Sequence, residues 1–225
     1  MKLPIRRIQG LYWMLCLLFF FRAEYFAVDA KWESEIQSYE ALDRAKPPAP
    51  GGIIFIGSSF IRLWKSLEQD FSEYRVINRG FGGSEISDSV TYAERIVIPY
   101  HPRLVVMYAG GNDIASGKGP DEVAKSFQDF VNKVLSRLPK TRIGFISIAP
   151  NPARWSQVEK VKRANALIEQ FVGSNPQLSF INVFPHMLGP DGLPRPDLFV
   201  EDRLHMNAKG YEMWTRLVKP YLKEE

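Results

Sequence analysis

Short, wholly apolar runs alternate along this chain with longer stretches whose apolar side chains recur every three or four residues. Residues 32 to 44 show the second pattern, with Trp32, Ile36, Tyr39 and Leu42 at helical spacing between charged residues. A Pro- and Gly-rich linker, Lys46 to Gly52, then stops the helix. Beyond it, Ile53 to Ile56 is apolar throughout, as a strand buried on both faces requires. Further strands are expected over Arg75–Ile77, Leu104–Tyr108, Ile143–Ile148 and Leu178–Val183. Helical spacing is found over Phe60–Leu67, Asp121–Leu138, Val158–Val172 and from Asn207 towards Leu222. Strands separated by helices predict a three-layer α/β/α sandwich around a central parallel sheet of about five strands. The pattern divides the chain into an N-terminal segment over 1–30, a helix and linker over 31–51, and one domain over 52–225.

In such a fold, function gathers in loops leaving the carboxyl ends of the strands. Three of those ends pair glycine with a polar residue: Gly57-Ser58-Ser59, Asn78 to Gly83, and Gly110-Gly111-Asn112-Asp113. Glycine there lets the backbone turn sharply and approach a ligand closely. Of the three histidines, His101 precedes the third strand and so belongs to the opposite edge. His186 follows the fifth strand without a nearby preceding acid. His205 stands three residues after Asp202, just ahead of the last helix. One turn could hold Asp202 against the imidazole Nδ1–H and leave Nε2 free to take a proton. By itself the spacing also fits a solvated acid beside a helix-flanking histidine.

Together these blocks resemble the SGNH hydrolase superfamily, also called GDSL-type esterases and lipases, and in particular a bacterial branch of it. The Gly-Asp-Ser block is matched by Gly57-Ser58-Ser59, the glycine block by Asn78 to Gly83, the Gly-x-Asn-Asp block by Gly110 to Asp113, and the closing Asp-x-x-His block by Asp202 to His205. The stretches Ile56–Trp64 and Ser147–Trp155 resemble that branch as well, and the likeness runs from residue 52 to about 222. Serine replaces aspartate at position 58, so two serines are adjacent; the family register assigns the nucleophile to Ser59. No Gly-x-Ser-x-Gly occurs, which separates the chain from nucleophile-elbow hydrolases.

The resemblance implies a flavodoxin-like SGNH hydrolase fold and cleavage of carboxylic esters through an acyl-enzyme on Ser59, with Asp202 and His205 completing a triad. It places an oxyanion hole at the N–H groups of Ser59 and Gly82 and the side-chain amide of Asn112. It calls for no cofactor and no metal; the partner is a small ester, such as an acetylated carbohydrate or a lysophospholipid. Read without the family, Ser59 caps a helix, Gly82 turns the chain, and Asn112 occupies a left-handed turn. Trp64 and Trp155 fit either a subsite or the core. Two other readings share the architecture: a non-catalytic glycan- or acyl-binding module, which needs no complete triad, and an O-acyltransferase, which the triad serves equally. A flavodoxin-like phosphate binder would want a longer hydroxyl-rich loop than Gly57-Ser58-Ser59.

Composition changes this picture little: 225 residues with 45% hydrophobic and 24% charged side chains suit one globular domain. The formal charge of +4 includes Lys2, Arg6, Arg7 and Arg22 against Glu24 and Asp29 in the first thirty residues. The remainder is close to neutral, and nothing electrostatic points to nucleic acid. Basic residues, an apolar stretch of 12 residues from Gly10 to Phe21, and Val28-Asp29-Ala30 follow in the order of a secretory signal. An uncleaved anchor is the alternative and would be the domain's membrane contact; both predict a periplasmic or secreted domain. Cys16, the single cysteine, lies in that stretch, so a cleaved chain would have no thiol for disulfides, catalysis or metal binding.

Overall fold

The structure, a computed structural model, describes residues 31–223. The expected secretory signal, its cleavage region and Cys16 lie outside the described residues. Among those residues, no helix is long and apolar enough to cross a membrane.

Five strands form one sheet: β1 (Ile53–Gly57), β2 (Val76–Gly80), β3 (Leu104–Tyr108), β4 (Arg142–Ile146) and β5 (Leu178–Ile181). Their order is β2-β1-β3-β4-β5, and each neighbouring pair is parallel. Both faces are covered because alternate strand residues point to opposite sides. Ile54, Ile56, Val105 and Met107 pack under α1 (31–45), α4 (Ile86–Ile96), α6 (Pro120–Arg137) and α7 (Val158–Val172). Ile53, Phe55, Leu104 and Val106 pack under α2 (Ser59–Arg62), α3 (Leu67–Asp70) and α8 (Ala208–Val218). A short helix, α5 (Gly111–Ala115), follows β3 directly. This is the three-layer, flavodoxin-like arrangement that the alternating pattern and the family resemblance predict.

Three elements differ from expectation. Helix α4 has no counterpart among the expected elements, although Ile86, Tyr92, Ala93 and Ile96 recur at helical spacing on its buried face with Ser89 between them. Its start is also marked by a capping box between Glu85 and Asp88. The helix expected over Phe60–Leu67 is instead two short ones, α2 and α3, with Leu63 as the C-cap of the first. The last helix ends at Val218, and Lys219–Leu222 tightens into a 3-10 turn.

The helix α1 packs on the domain beyond it. Ile36 is fully buried in the core, and Asp43 pairs with the buried Arg79 of β2 at 2.5 Å. The chain leaves β1 for β2 on one side and returns to β3 on the other, so the loops that follow β1 and β3 part and leave a crevice between them. At that point Gly57 pairs with both Gly80 and Tyr108.

Candidate active site

Ser59 opens α2, directly after β1. Ser58 is the N-cap residue, but neither serine gives a side-chain cap. Ser58 is buried, its N–H donating to the Tyr108 carbonyl at 3.0 Å and its carbonyl accepting from Ile61 and Arg62. Its work is structural. The Ser59 hydroxyl points elsewhere: its Oγ lies 2.9 Å from His205 Nε2.

His205 and Asp202 share a tight loop closed by an antiparallel bridge between Phe199 and Met206. Arg203 sits at φ +59°, a left-handed conformation that reverses the chain between acid and histidine. Asp202 Oδ1 accepts the N–H groups of Leu204 and His205, both at 2.9 Å. Its Oδ2 lies 2.6 Å from His205 Nδ1. Burial raises the Asp202 pKa, but the hydrogen bonds from the His205 ring and the two backbone N–H groups outweigh it and lower the value to about 2. The ionised carboxylate can only accept, so the neutral ring carries its proton on Nδ1 and presents a lone pair on Nε2 to the serine hydroxyl. The three side chains named from the sequence therefore form one hydrogen-bonded line.

Of the expected oxyanion donors, Ser59 and Asn112 line the same cleft. Ser59 and Gly82 each lie two residues beyond the Gly57–Gly80 pair. The Phe81 N–H donates to the Gly57 carbonyl at 2.8 Å, which brings the glycine loop alongside α2, and the Gly82 N–H has no hydrogen bond among the described residues. A β-carbon at Gly82 would stand 2.6 Å from Arg62 Nε, so the arginine end would have to swing aside. Asn112, in α5, donates from Nδ2 to the Ser84 carbonyl at 3.0 Å and so ties the third block to the second. Behind it, the Asp113 carboxylate is fully buried and accepts the Ile86 N–H at 3.2 Å. Its pKa is raised to about 6 by burial, against the opposing pull of Lys118.

A narrow cleft opens at Ser59, lined among others by Phe60, Asn112, Asn151, Arg154 and Leu204. Asn151 and Arg154 belong to the stretch whose likeness to the bacterial branch was legible, but periodicity and spacing attach no role to them. Arg154 Nη1 donates to Asn112 Oδ1 and to the Gly111 carbonyl, each at 3.0 Å. Trp64 is a core residue, 1% exposed, with its indole N–H donating to Asp70, so the subsite reading fails for it. Trp155 is half-buried and lines a neighbouring cavity with Arg154. His101 lies at the far edge of the sheet, ahead of β3, and His186 is exposed after β5. Among the described residues, no cluster of three or more His, Cys, Asp or Glu side chains could hold a metal ion.

Known proteins share both the sequence blocks and the architecture. Residues 57–213 match the model of the GDSL-like Lipase/Acylhydrolase family. The GDSL esterase/lipase WDL1 of Oryza sativa subsp. japonica is 29% identical over 124 residues, 46% of this chain and 48% of that protein. The alignment thus spans about half the length of this curated relative. A GDSL-like lipase from Bacteroides thetaiotaomicron superposes with a TM-score of 0.71 at 22% identity, covering 83% of this chain and 96% of its own. A Streptococcus pneumonia protein, provisionally described as a platelet activating factor, gives a TM-score of 0.75 at 21% identity over 92% of this chain and 99% of its own. At such identities the likeness establishes the fold. With the family model matched over most of its length, this chain belongs to the GDSL-like lipase/acylhydrolase family.

Proposed function

We propose that this protein is a serine esterase that cleaves short-chain carboxylic esters through an acyl-enzyme on Ser59. The observation that carries the reading is the continuous line from Asp202 through His205 to Ser59, with contacts of 2.6 and 2.9 Å. A serine hydroxyl is a poor nucleophile until a base takes its proton. His205 Nε2 accepts that proton as Ser59 Oγ bonds to the ester carbonyl carbon, and Asp202 stabilises the imidazolium that forms. The carbonyl oxygen becomes an oxyanion, held by the N–H groups of Ser59 and Gly82 and the amide of Asn112. Each such donor typically contributes about 3 kcal/mol to the transition state. His205 then protonates the departing alkoxide, leaving acyl-Ser59. Water attacks in the same manner, the carboxylic acid leaves, and the hydroxyl is restored.

The restricted cavity at Ser59 and the polar side chains of Asn112, Asn151 and Arg154 favour a small acyl group on a polar alcohol. An acetylated carbohydrate meets that description, whereas a long acyl chain finds little room. A fluorophosphonate probe tests the nucleophile: labelling must occur and must vanish in Ser59→Ala. Acetyl, octanoyl and palmitoyl esters of p-nitrophenol test the acyl preference, and faster turnover of the longer esters would refute it. Export belongs to the same proposal, supported by the basic and then apolar order of the first thirty residues. Mass measurement of the mature N-terminus after expression with the full chain decides it.

A further inference from the structure

The Asn112 side chain faces two groups with fixed hydrogen-bonding roles. The Ser84 carbonyl can only accept, and it lies 3.0 Å from Nδ2. The Arg154 guanidinium can only donate, and its Nη1 lies 3.0 Å from Oδ1. A flipped amide would set two donors face to face on one side and two acceptors on the other. The pair therefore locks the amide, with one Nδ2–H committed to Ser84 and the second left available. The same Nη1 also donates to the Gly111 carbonyl at 3.0 Å, which places the guanidinium beside the first turn of α5.

Arg154 is itself held by its own loop. Its backbone N–H donates to Asn151 Oδ1 at 2.9 Å. The adjoining Ala153 N–H donates to the carbonyl of Arg203, which directly follows Asp202, at 3.1 Å. The turn after β4 thereby ties the Asn112 block to the loop that carries the acid and the histidine. Among the described residues, no carboxylate is paired with Arg154, so its charge is not spent on an acid beside the place where the oxyanion would form.

We infer that Arg154 is a positioning residue for ester cleavage: it orients the Asn112 amide so that its free N–H can meet the oxyanion. This rests on the esterase reading above. A residue acting only through Asn112 becomes dispensable once Asn112 is gone, which a double-mutant cycle detects.

The test uses p-nitrophenyl acetate, which bears no charge for Arg154 to bind. Asn112→Ala is expected to lower kcat by about 100-fold. Arg154→Ala is expected to lower kcat by about 10-fold or more, with KM changed less than about 3-fold. The double variant should fall within about 3-fold of Asn112→Ala alone. Arg154→Met, which keeps the apolar stem, carries the same expectation if the alanine variant folds poorly, with thermal unfolding followed by circular dichroism as the control. A wild-type kcat in both Arg154 variants, a loss that multiplies with that of Asn112→Ala, or a loss confined to KM would each overturn the assignment. Wild-type protein that neither turns over the ester nor takes a fluorophosphonate label would instead bring down the esterase reading, and this inference with it.

Discussion

The carbonyl oxygen of Tyr108 lies 1.9 Å from where a β-carbon on Gly57 would stand, and Gly57 itself holds φ at +131°. The first strand turns into Ser58 and Ser59 at this contact, with the Ser58 N–H donating to that same carbonyl at 3.0 Å. Any side chain must push β1 and β3 apart where Ser59 is presented to His205. Gly57→Ala is expected to destabilise the fold by about 3 kcal/mol or more and to lower soluble yield. Urea unfolding of the purified variant measures it, and a midpoint within error of wild type would contradict the packing described.

Removing the serine or the histidine should abolish turnover far more completely than removing the acid. Ser59→Ala and His205→Ala are each expected to lower kcat by at least about 10⁴-fold. The Asp202 side chain is 46% exposed, so water can take over part of its contact with the His205 ring. Asp202→Asn should therefore lose less than the roughly 10⁴-fold seen where a triad acid is buried. Steady-state kinetics on p-nitrophenyl acetate rank the three, and equal losses would argue against solvent replacement.

Gly82 is occupied from beneath by the Arg62 guanidinium. A β-carbon there would meet Nε at 2.6 Å and Nη2 at 2.7 Å. In Gly82→Ala the Arg62 side chain, 42% exposed, can swing aside more readily than the loop. A loss of less than about 10-fold in kcat is expected, since only a small displacement of the Gly82 N–H remains once the arginine moves. Shortening the arginine in Gly82→Ala/Arg62→Ala should recover part of that loss; no recovery would locate the strain in the backbone.

The helix over 31–45 covers one edge of the sheet through Asp43 and Ile36. Arg79 is 7% exposed at its side chain and depends on Asp43 for its charge partner, with the Tyr100 hydroxyl as a further contact. Asp43→Ala would leave a cation buried without a counter-ion, at a cost of about 3 kcal/mol. Chemical unfolding checks the value. A change below about 0.5 kcal/mol, the size typical of an ordinary surface substitution, would mean that the pair is solvated.

Two carboxylates should bend the stability curve in opposite directions. Asp113 has its pKa raised from 3.8 to about 6, so between those values the folded protein binds a proton that the unfolded chain has released. Its contribution to stability therefore falls as pH rises through that window, and Asp113→Asn should flatten the fall. Asp202, lowered from 3.8 to about 2, contributes stability above 3.8 that disappears as pH drops towards 2. Urea midpoints measured at intervals from pH 2 to 7 resolve both, and an Asp113→Asn curve parallel to wild type between pH 4 and 6 would rule out the first.

Much of this molecule is legible along the chain because its strands are buried on both faces. Ile53 to Ile56 and Leu104 to Tyr108 must be apolar throughout, and that requirement reads directly as sequence. Helix α4 carries a comparable signal, with Ile86, Tyr92, Ala93 and Ile96 on its inward face and only Ser89 polar among them. Ser59, Gly82, Asn112, Asp202 and His205 were visible as blocks through family likeness, and Asp202 and His205 also through their local spacing.

What the one-dimensional pattern determined by itself was the layered fold, the sites of its sharp turns and the pairing of an acid with a histidine three residues later. These depend on local geometry or on the solvent exposure of single elements. Whether His205 reaches a hydroxyl 146 residues away depends on the order in which the strands assemble, and it was the sheet order β2-β1-β3-β4-β5 that brought them together. The same holds for Arg154, whose contact with Asn112 spans 42 residues and leaves no periodic trace. A hydrogen bond between distant loops constrains two side chains but imposes no repeat on the residues around them, so only the assembled tertiary structure reveals it.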